Sequence, residues 1–72
     1  MKTLFEMITG DESVIVKIHD DHIRRRFSEM GLIRGTPIRV IRHAPLGDPV
    51  LVQVKGSQLA IRMNEAKIIE VE

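Results

Sequence analysis

What most constrains this chain is its punctuation. Within 72 residues, turn-forming clusters recur at Gly10-Asp11, Asp20-Asp21, Gly31, Arg34-Gly35-Thr36-Pro37, Pro45 through Pro49 and Lys55-Gly56-Ser57. The runs between them are short, and such spacing reads as a small all-β domain. The runs are also rich in β-branched residues. Seventeen of the thirty-one apolar residues are Val or Ile, whose stiff side chains favour the pleated strand.

Periodicity assigns the segments. In Met1–Thr9, Leu4, Met7 and Ile8 fit a helical turn, and Thr3 followed by Glu6 has capping-box spacing. Ser13–Ile18 reads as a strand with Val14, Val16 and Ile18 inward, Ser13 and Lys17 outward, and Ile15 breaking the pattern. The period then changes. Ile23, Phe27 and Met30 stand at i, i+4 and i+7, one face of a helix. Asp20 or Asp21 supplies its N-cap. With Gly31 as the left-handed C′ residue, Phe27 and Leu32 become the apolar pair of a Schellman motif. Ile38–Arg42 reads as the next strand. Val50–Lys55 has Val50, Val52 and Val54 inward, and a tight turn at Gly56-Ser57 leads into Gln58–Arg62 with Leu59 and Ile61 inward. Met63–Ala66 fits one helical turn and Ile68–Val71 a closing strand. Five short strands and one short helix predict an all-β fold, a small barrel whose closure protects edges that a small sheet would leave open.

Composition limits what such a barrel can do. A chain this short is one domain with a small core, burying about 60% of its unfolded surface. It has no Cys, hence no disulfide, thiolate metal site or thiol nucleophile. Its formal charge is only +1 and its aromatics are two Phe, so it lacks both the global field and the stacking platform of nucleic-acid binders. No segment has the length of a membrane-spanning helix, and acidic Glu6 precedes any signal-peptide core. A soluble cytoplasmic protein without direct membrane insertion is the expectation. No nucleophile–base set and no phosphate-binding glycine loop occurs. A barrel of this size also has little volume for a ligand pocket of the usual 300 Å³ class. An enzyme is therefore not expected, nor a cofactor.

Three clusters remain. Arg24-Arg25-Arg26 lies on the helix, but at about 100° per residue the three fan apart instead of forming one stripe. Glu29 falls between Arg25 and Arg26 and should partly neutralise both, leaving Arg24 freest. Arg24 also sits in the first turn, where the helix dipole disfavours a cation. The plainer reading of the triplet is a solvated helix surface whose stems cover the core's edge; the other is a docking site for an acidic partner, which Arg24 favours because a purely structural helix would place an acid there. His19-Asp20-Asp21-His22 has the look of a metal site, with His19, Asp21 and His22 as candidate ligands for zinc or ferrous iron. The plainer reading is helix caps beside exposed histidines. His43–Pro49 is a proline-stiffened loop in which Leu46 either tucks into the barrel end or stands out as an anchor.

These motifs together resemble the FeoA family, ferrous iron transport protein A. The resemblance rests on Arg24-Arg25-Arg26 with Glu29-Met30-Gly31-Leu32, on Arg34-Gly35-Thr36, on Ala44-Pro45-Leu46-Gly47-Asp48-Pro49, and on Gly56 followed by Leu59-Ala60-Ile61-Arg62 and Glu65-Ala66. Two positions depart from the pattern. Ser57 stands where an aromatic is common after the glycine, and His22 stands where a small or apolar residue is usual. The resemblance implies an SH3-like five-stranded barrel. It also implies a non-enzymatic accessory that binds and regulates the ferrous iron transporter, a membrane protein with a cytoplasmic GTPase domain. The chain begins and ends with the domain, so a stand-alone accessory is expected rather than a repressor's C-terminal domain. Arg24, Arg25, Leu46, Gly47 and Asp48 are the expected partner-binding residues, a charged rim beside an apolar anchor. The alternatives are a small nucleic-acid-binding barrel, and a metal-binding carrier or sensor using His19, Asp21 and His22. An unpaired edge strand or an exposed Leu51 would support a homo-oligomer.

Overall fold

The computed structural model describes residues 1–72. Its elements are β1 (Lys2–Thr3), a 3₁₀ turn (Leu4–Glu6), β2 (Glu12–Ile18), α1 (Asp21–Ser28), β3 (Pro37–His43), a second 3₁₀ turn (Pro45–Gly47), β4 (Val50–Val54), β5 (Ser57–Ile61), α2 (Met63–Ala66) and β6 (Ile69–Val71). The expected barrel strands are present. A sixth, two-residue strand is added at the N-terminus, where sequence periodicity suggests only a helical turn. The sheet runs β1-β6-β2-β3-β4-β5 with every neighbouring pair antiparallel. It curls into a small SH3-like barrel but does not close, since β1 and β5 remain its two edges.

Two bulges produce the curl. β2 pairs first with β3, at Glu12–Val14, and then with β6, where Ile15 faces Val71 and Lys17 faces the next residue, Glu70. Val16 is therefore the extra residue. This changes the inward set expected for β2: Ile18 is buried as expected, but Ile15 takes the place of Val14 and Val16. The bulge lets Ile15 and Ile18, three apart, both enter the core, and Val14 and Val16 are left half-buried. Ile41 plays the same part in β3, between the Val40–Val52 and Arg42–Leu51 pairs. An extra residue bends a strand and raises its twist, and alternation alone does not reveal where one sits.

β4 follows its expected alternation, with Val50, Val52 and Val54 buried and Leu51 half-buried rather than exposed. The β4–β5 turn falls one residue earlier than expected. Val54 pairs with Ser57, so Lys55 (φ +50°) and Gly56 (φ +82°) are the turn residues, and two positive φ values are the type I′ requirement.

Helix α1 is capped by Asp20, whose Oδ1 accepts from the Ile23 amide at 2.9 Å. At its other end the Leu32 amide donates to the Phe27 carbonyl (3.0 Å) and the Gly31 amide to the Ser28 carbonyl (3.1 Å). That is the paired hydrogen bonding of a Schellman motif, with Gly31 at φ +83°. Phe27 and Leu32 are both buried in the core, whereas Met30, expected on the same face, is exposed. The motif turns the chain away at Met30.

Candidate functional site

The three arginines of α1 have three different fates. Arg26 reaches across to α2 and pairs with Glu65. Arg24 lies 3.6 Å from Asp21, one turn back. Arg25 has no acidic partner. The expected pairing with Glu29 does not form, and the free arginine is Arg25, not Arg24. The reason is tertiary. Glu65 is buried on the neighbouring helix, and a buried carboxylate competes for a guanidinium better than the exposed Glu29 does. The sequence signal for Glu65 is its place three residues after Arg62. Its Oε1 accepts from the Arg62 amide at 3.3 Å, the return half of a capping box.

The loop from His43 to Pro49 is built from below. Its floor is Phe5. A Cβ on Gly47 would lie 3.8 Å from the Phe5 ring, His43 meets that ring edge-on with centroids 5.9 Å apart, and the Lys67 ammonium lies 5.1 Å from its centre. The His43 Nε2 is 2.7 Å from the Met7 carbonyl oxygen. A carbonyl only accepts, so Nε2 carries the proton and donates. The Ala44 amide donates to Pro49 and the Gly47 amide to Ala44. Asp48 Oδ1 accepts from the Met63 amide at 3.0 Å, capping α2 from outside the helix.

On this base stands Leu46, fully exposed at 100% and at φ +70°. A leucine in the left-handed region costs roughly 1–2 kcal/mol, and full exposure forgoes its burial. The loop's hydrogen bonds over-determine that conformation, and strain held this way tends to mark functional positions. The five residues expected to bind a partner thus divide. Leu46 and Arg25 present uncommitted side chains, Arg24 is loosely paired, and Gly47 and Asp48 build the tip. No hydrogen bond or ion pair joins Arg24 or Arg25 to the tip. The link from α1 toward the loop runs through α2 and Arg26, a residue outside the expected set.

The candidate metal ligands are not brought together. His19 Nε2 meets Glu70 Oε1 at 2.8 Å, and no group of three or more His, Asp or Glu side chains converges anywhere. Clefts are larger than expected. The largest, about 470 Å³, lies outside the sheet between Glu12, Arg39 and Lys55.

A family model described as the FeoA domain matches residues 2–72. The chain belongs to the FeoA domain family. A fusion of Fe(2+) transport protein A with the Fe(2+) transporter FeoB from Porphyromonas gingivalis is 40% identical over 70 residues, which is 96% of this chain and 8% of that protein. The FeoA protein of Chlorobium tepidum has the same fold, with a TM-score of 0.92 at 39% identity, covering 99% of this chain and 69% of that one. FeoA of Stenotrophomonas maltophilia, described as a prokaryotic SH3 domain protein and solved with zinc, has a TM-score of 0.84 at 32% identity, covering 100% and 91%. A manganese-dependent transcriptional repressor shares the fold alone, at 19% identity and a TM-score of 0.89. In this FeoA domain the motifs read from the sequence have physical jobs. Glu29-Met30-Gly31-Leu32 ends the helix, Arg34-Gly35-Thr36 makes a pinned turn, and Ala44–Pro49 forms the tip over Phe5.

Proposed function

We propose that this chain is a non-enzymatic cytoplasmic accessory of ferrous iron uptake that docks on the transporter's cytoplasmic GTPase domain and tunes its activity. The observation that carries this reading is the relative in which a domain 40% identical to this one forms part of a single chain with FeoB. Fusion holds two partners at an effective concentration far above that of separate chains, which suits partners that work in contact. The chain spans 8% of that relative, so the transport chemistry lies in the other part. That no helix here is long and apolar enough to cross a membrane agrees with a role beside the transporter.

The docking surface consists of the Leu46 tip with Gly47 and Asp48, and of Arg24 and Arg25 on α1. Leu46 fits an apolar hollow in the partner, as the central buried residues of interfaces do. The arginines supply a rim that sets orientation and encounter rate. The test is binding of the Arg24→Glu/Leu46→Ala double variant to the purified GTPase domain of the transporter from the same genome. Affinity should fall at least tenfold with the melting temperature preserved. Wild-type affinity would overturn the assignment of this surface. Absence of binding by the wild-type chain would overturn the accessory reading itself.

A further inference from the structure

On the side of α1 away from Arg26 lies an open cleft of about 400 Å³. We propose that it is a docking site for an acidic segment of a partner protein, one that sets a single branched apolar residue between carboxylates. The inference deepens the transporter reading, on which it rests for the identity of the partner.

Its charge is one-sided. Three cations line the cleft, Lys17, Arg24 and Arg34, and no acid does. Arg34 has no ion-pair partner. Arg24 shares Asp21 at 3.6 Å with both side chains largely in solvent. Lys17 stands opposite Glu70 in the β2–β6 register, but Glu70 holds His19 at 2.8 Å. The whole chain is only +1, so this concentration of positive charge, opposed only by the loose Arg24–Asp21 contact, is local. It also accounts for Arg24, a cation in the first turn of a helix, where an incoming carboxylate would relieve the unfavourable field.

Its floor is apolar. The bulge turns Val16 outward, and Ile33, 48% exposed, forms the opposite lip. A neutral apolar ligand would desolvate three cations without repayment. A nucleic acid would find no aromatic to stack on and would leave the apolar floor unmatched. A segment with one apolar residue between acids satisfies both halves.

The lip is also rigid. Ile33 through Thr36 form a turn closed by the Thr36 amide on the Ile33 carbonyl at 3.0 Å, with Gly35 at φ +88° in the position where a type II turn requires it. The buried Thr36 hydroxyl donates to the Gly31 carbonyl (3.1 Å) and accepts from the Ile33 amide (3.3 Å). The Gly35 amide donates to Ile15 at 2.7 Å, tying the turn to β2. The backbone of Ile33 and Arg34 is thus held in place before anything binds, and little main-chain ordering is lost on association.

The test uses the full chain and two probes, the transporter's GTPase domain and a fluorescein-labelled peptide Glu-Glu-Leu-Asp-Glu. Ile33→Asp and Arg34→Glu are compared with wild type, with circular dichroism checking the fold and Arg34→Gln as the milder variant. Support is a tenfold or greater loss of peptide affinity in both variants, no binding of the neutral peptide Gln-Gln-Leu-Asn-Gln, and the same loss toward the domain. If the domain binds both variants as it binds wild type, the cleft inference falls and the transporter reading stands. If the domain does not bind wild type while the acidic peptide binds and is lost in Arg34→Glu, the transporter reading falls and the cleft stands. Equal binding of both peptides, binding of neither, or tighter binding of a single-stranded RNA oligomer overturns the cleft inference.

Discussion

Arg26 and Glu65, 39 residues apart in the chain, form the ion pair that ties helix α1 to helix α2. Glu65 is 8% exposed, and its two oxygens divide the work, Oε2 to the Arg26 guanidinium and Oε1 to the Arg62 amide. The pair fixes the relative placement of α1, which carries the arginines, and α2, whose N-terminus is capped by Asp48 of the Leu46 loop. The two parts of the proposed docking surface therefore share one fastening.

Removing that fastening should be felt. Arg26→Met leaves a buried carboxylate with a single amide donor, and an unsatisfied buried acceptor costs about 1–3 kcal/mol. The expected loss is in that range, and each kcal/mol lowers the melting temperature by about 4–8 °C for a domain of this size. Arg25→Met, which removes an unpaired surface cation, should stay within about 0.5 kcal/mol. Urea denaturation of the two variants checks the contrast. Equal stabilities would show that the Arg26 pair contributes nothing.

The two adjacent aspartates before α1 should likewise behave differently. Asp20 Oδ1 accepts from the Ile23 amide, whereas Asp21 is exposed and makes only the loose contact to Arg24. Asp20→Ala should cost about 1 kcal/mol, the usual value of an N-cap, and Asp21→Ala a few tenths. Thermal melts of the single variants measure this. A larger effect at Asp21 would move the cap by one residue.

This pair shows how far the sequence could be read. Either aspartate satisfies the pattern, and only the hydrogen bond chooses between them. The Schellman ending is legible because Phe27, Gly31 and Leu32 are local and their spacing is dictated by helix geometry. The β2 bulge is not legible, since Ile15 and Val16 differ by one methylene and nothing in the alternation says which faces in. The site divides the same way. Leu46 is recognisable as an apolar residue in a rigid loop, but its exposure is decided by Phe5, His43 and Gly47, which meet only in the folded chain. Sequence spacing sets Arg26 beside Glu29 because i, i+3 pairing is visible along one helix, and a contact to α2 is not.

Acid should weaken the N-terminal turn. Glu6 Oε1 accepts from the Thr3 amide at 2.9 Å and the Thr3 hydroxyl at 3.1 Å, and these bonds hold its carboxyl below the ordinary glutamate value. A depressed acid contributes stability that is complete above its unfolded pKa, about 4.3, and is lost as pH falls through the folded value. Glu6→Gln should therefore be less stable than wild type at pH 7, and the gap should narrow as the pH drops below about 4. Melting temperatures from pH 7 to pH 3 test the sign. A gap that widens toward acid would show that these hydrogen bonds do not favour the ionised form.

Leu46 sets stability against binding. Its left-handed backbone costs a leucine roughly 1–2 kcal/mol, and its side chain recovers nothing by burial, being 100% exposed. Asn accepts the left-handed conformation more readily than Leu does, because its short polar side chain hydrogen-bonds locally. Leu46→Asn should therefore keep the melting temperature unchanged or raise it by a few degrees. The same change removes the apolar anchor, and its affinity for the transporter's GTPase domain should fall at least tenfold, about 1.4 kcal/mol. The two readouts separate the explanations for a strained, exposed leucine. If the Leu46→Asn variant melts lower than wild type, the tip is held by contacts that Leu46 itself makes. If the variant is stabilised and still binds at full strength, the residue is not the anchor, and the arginines of α1 must carry the contact without it.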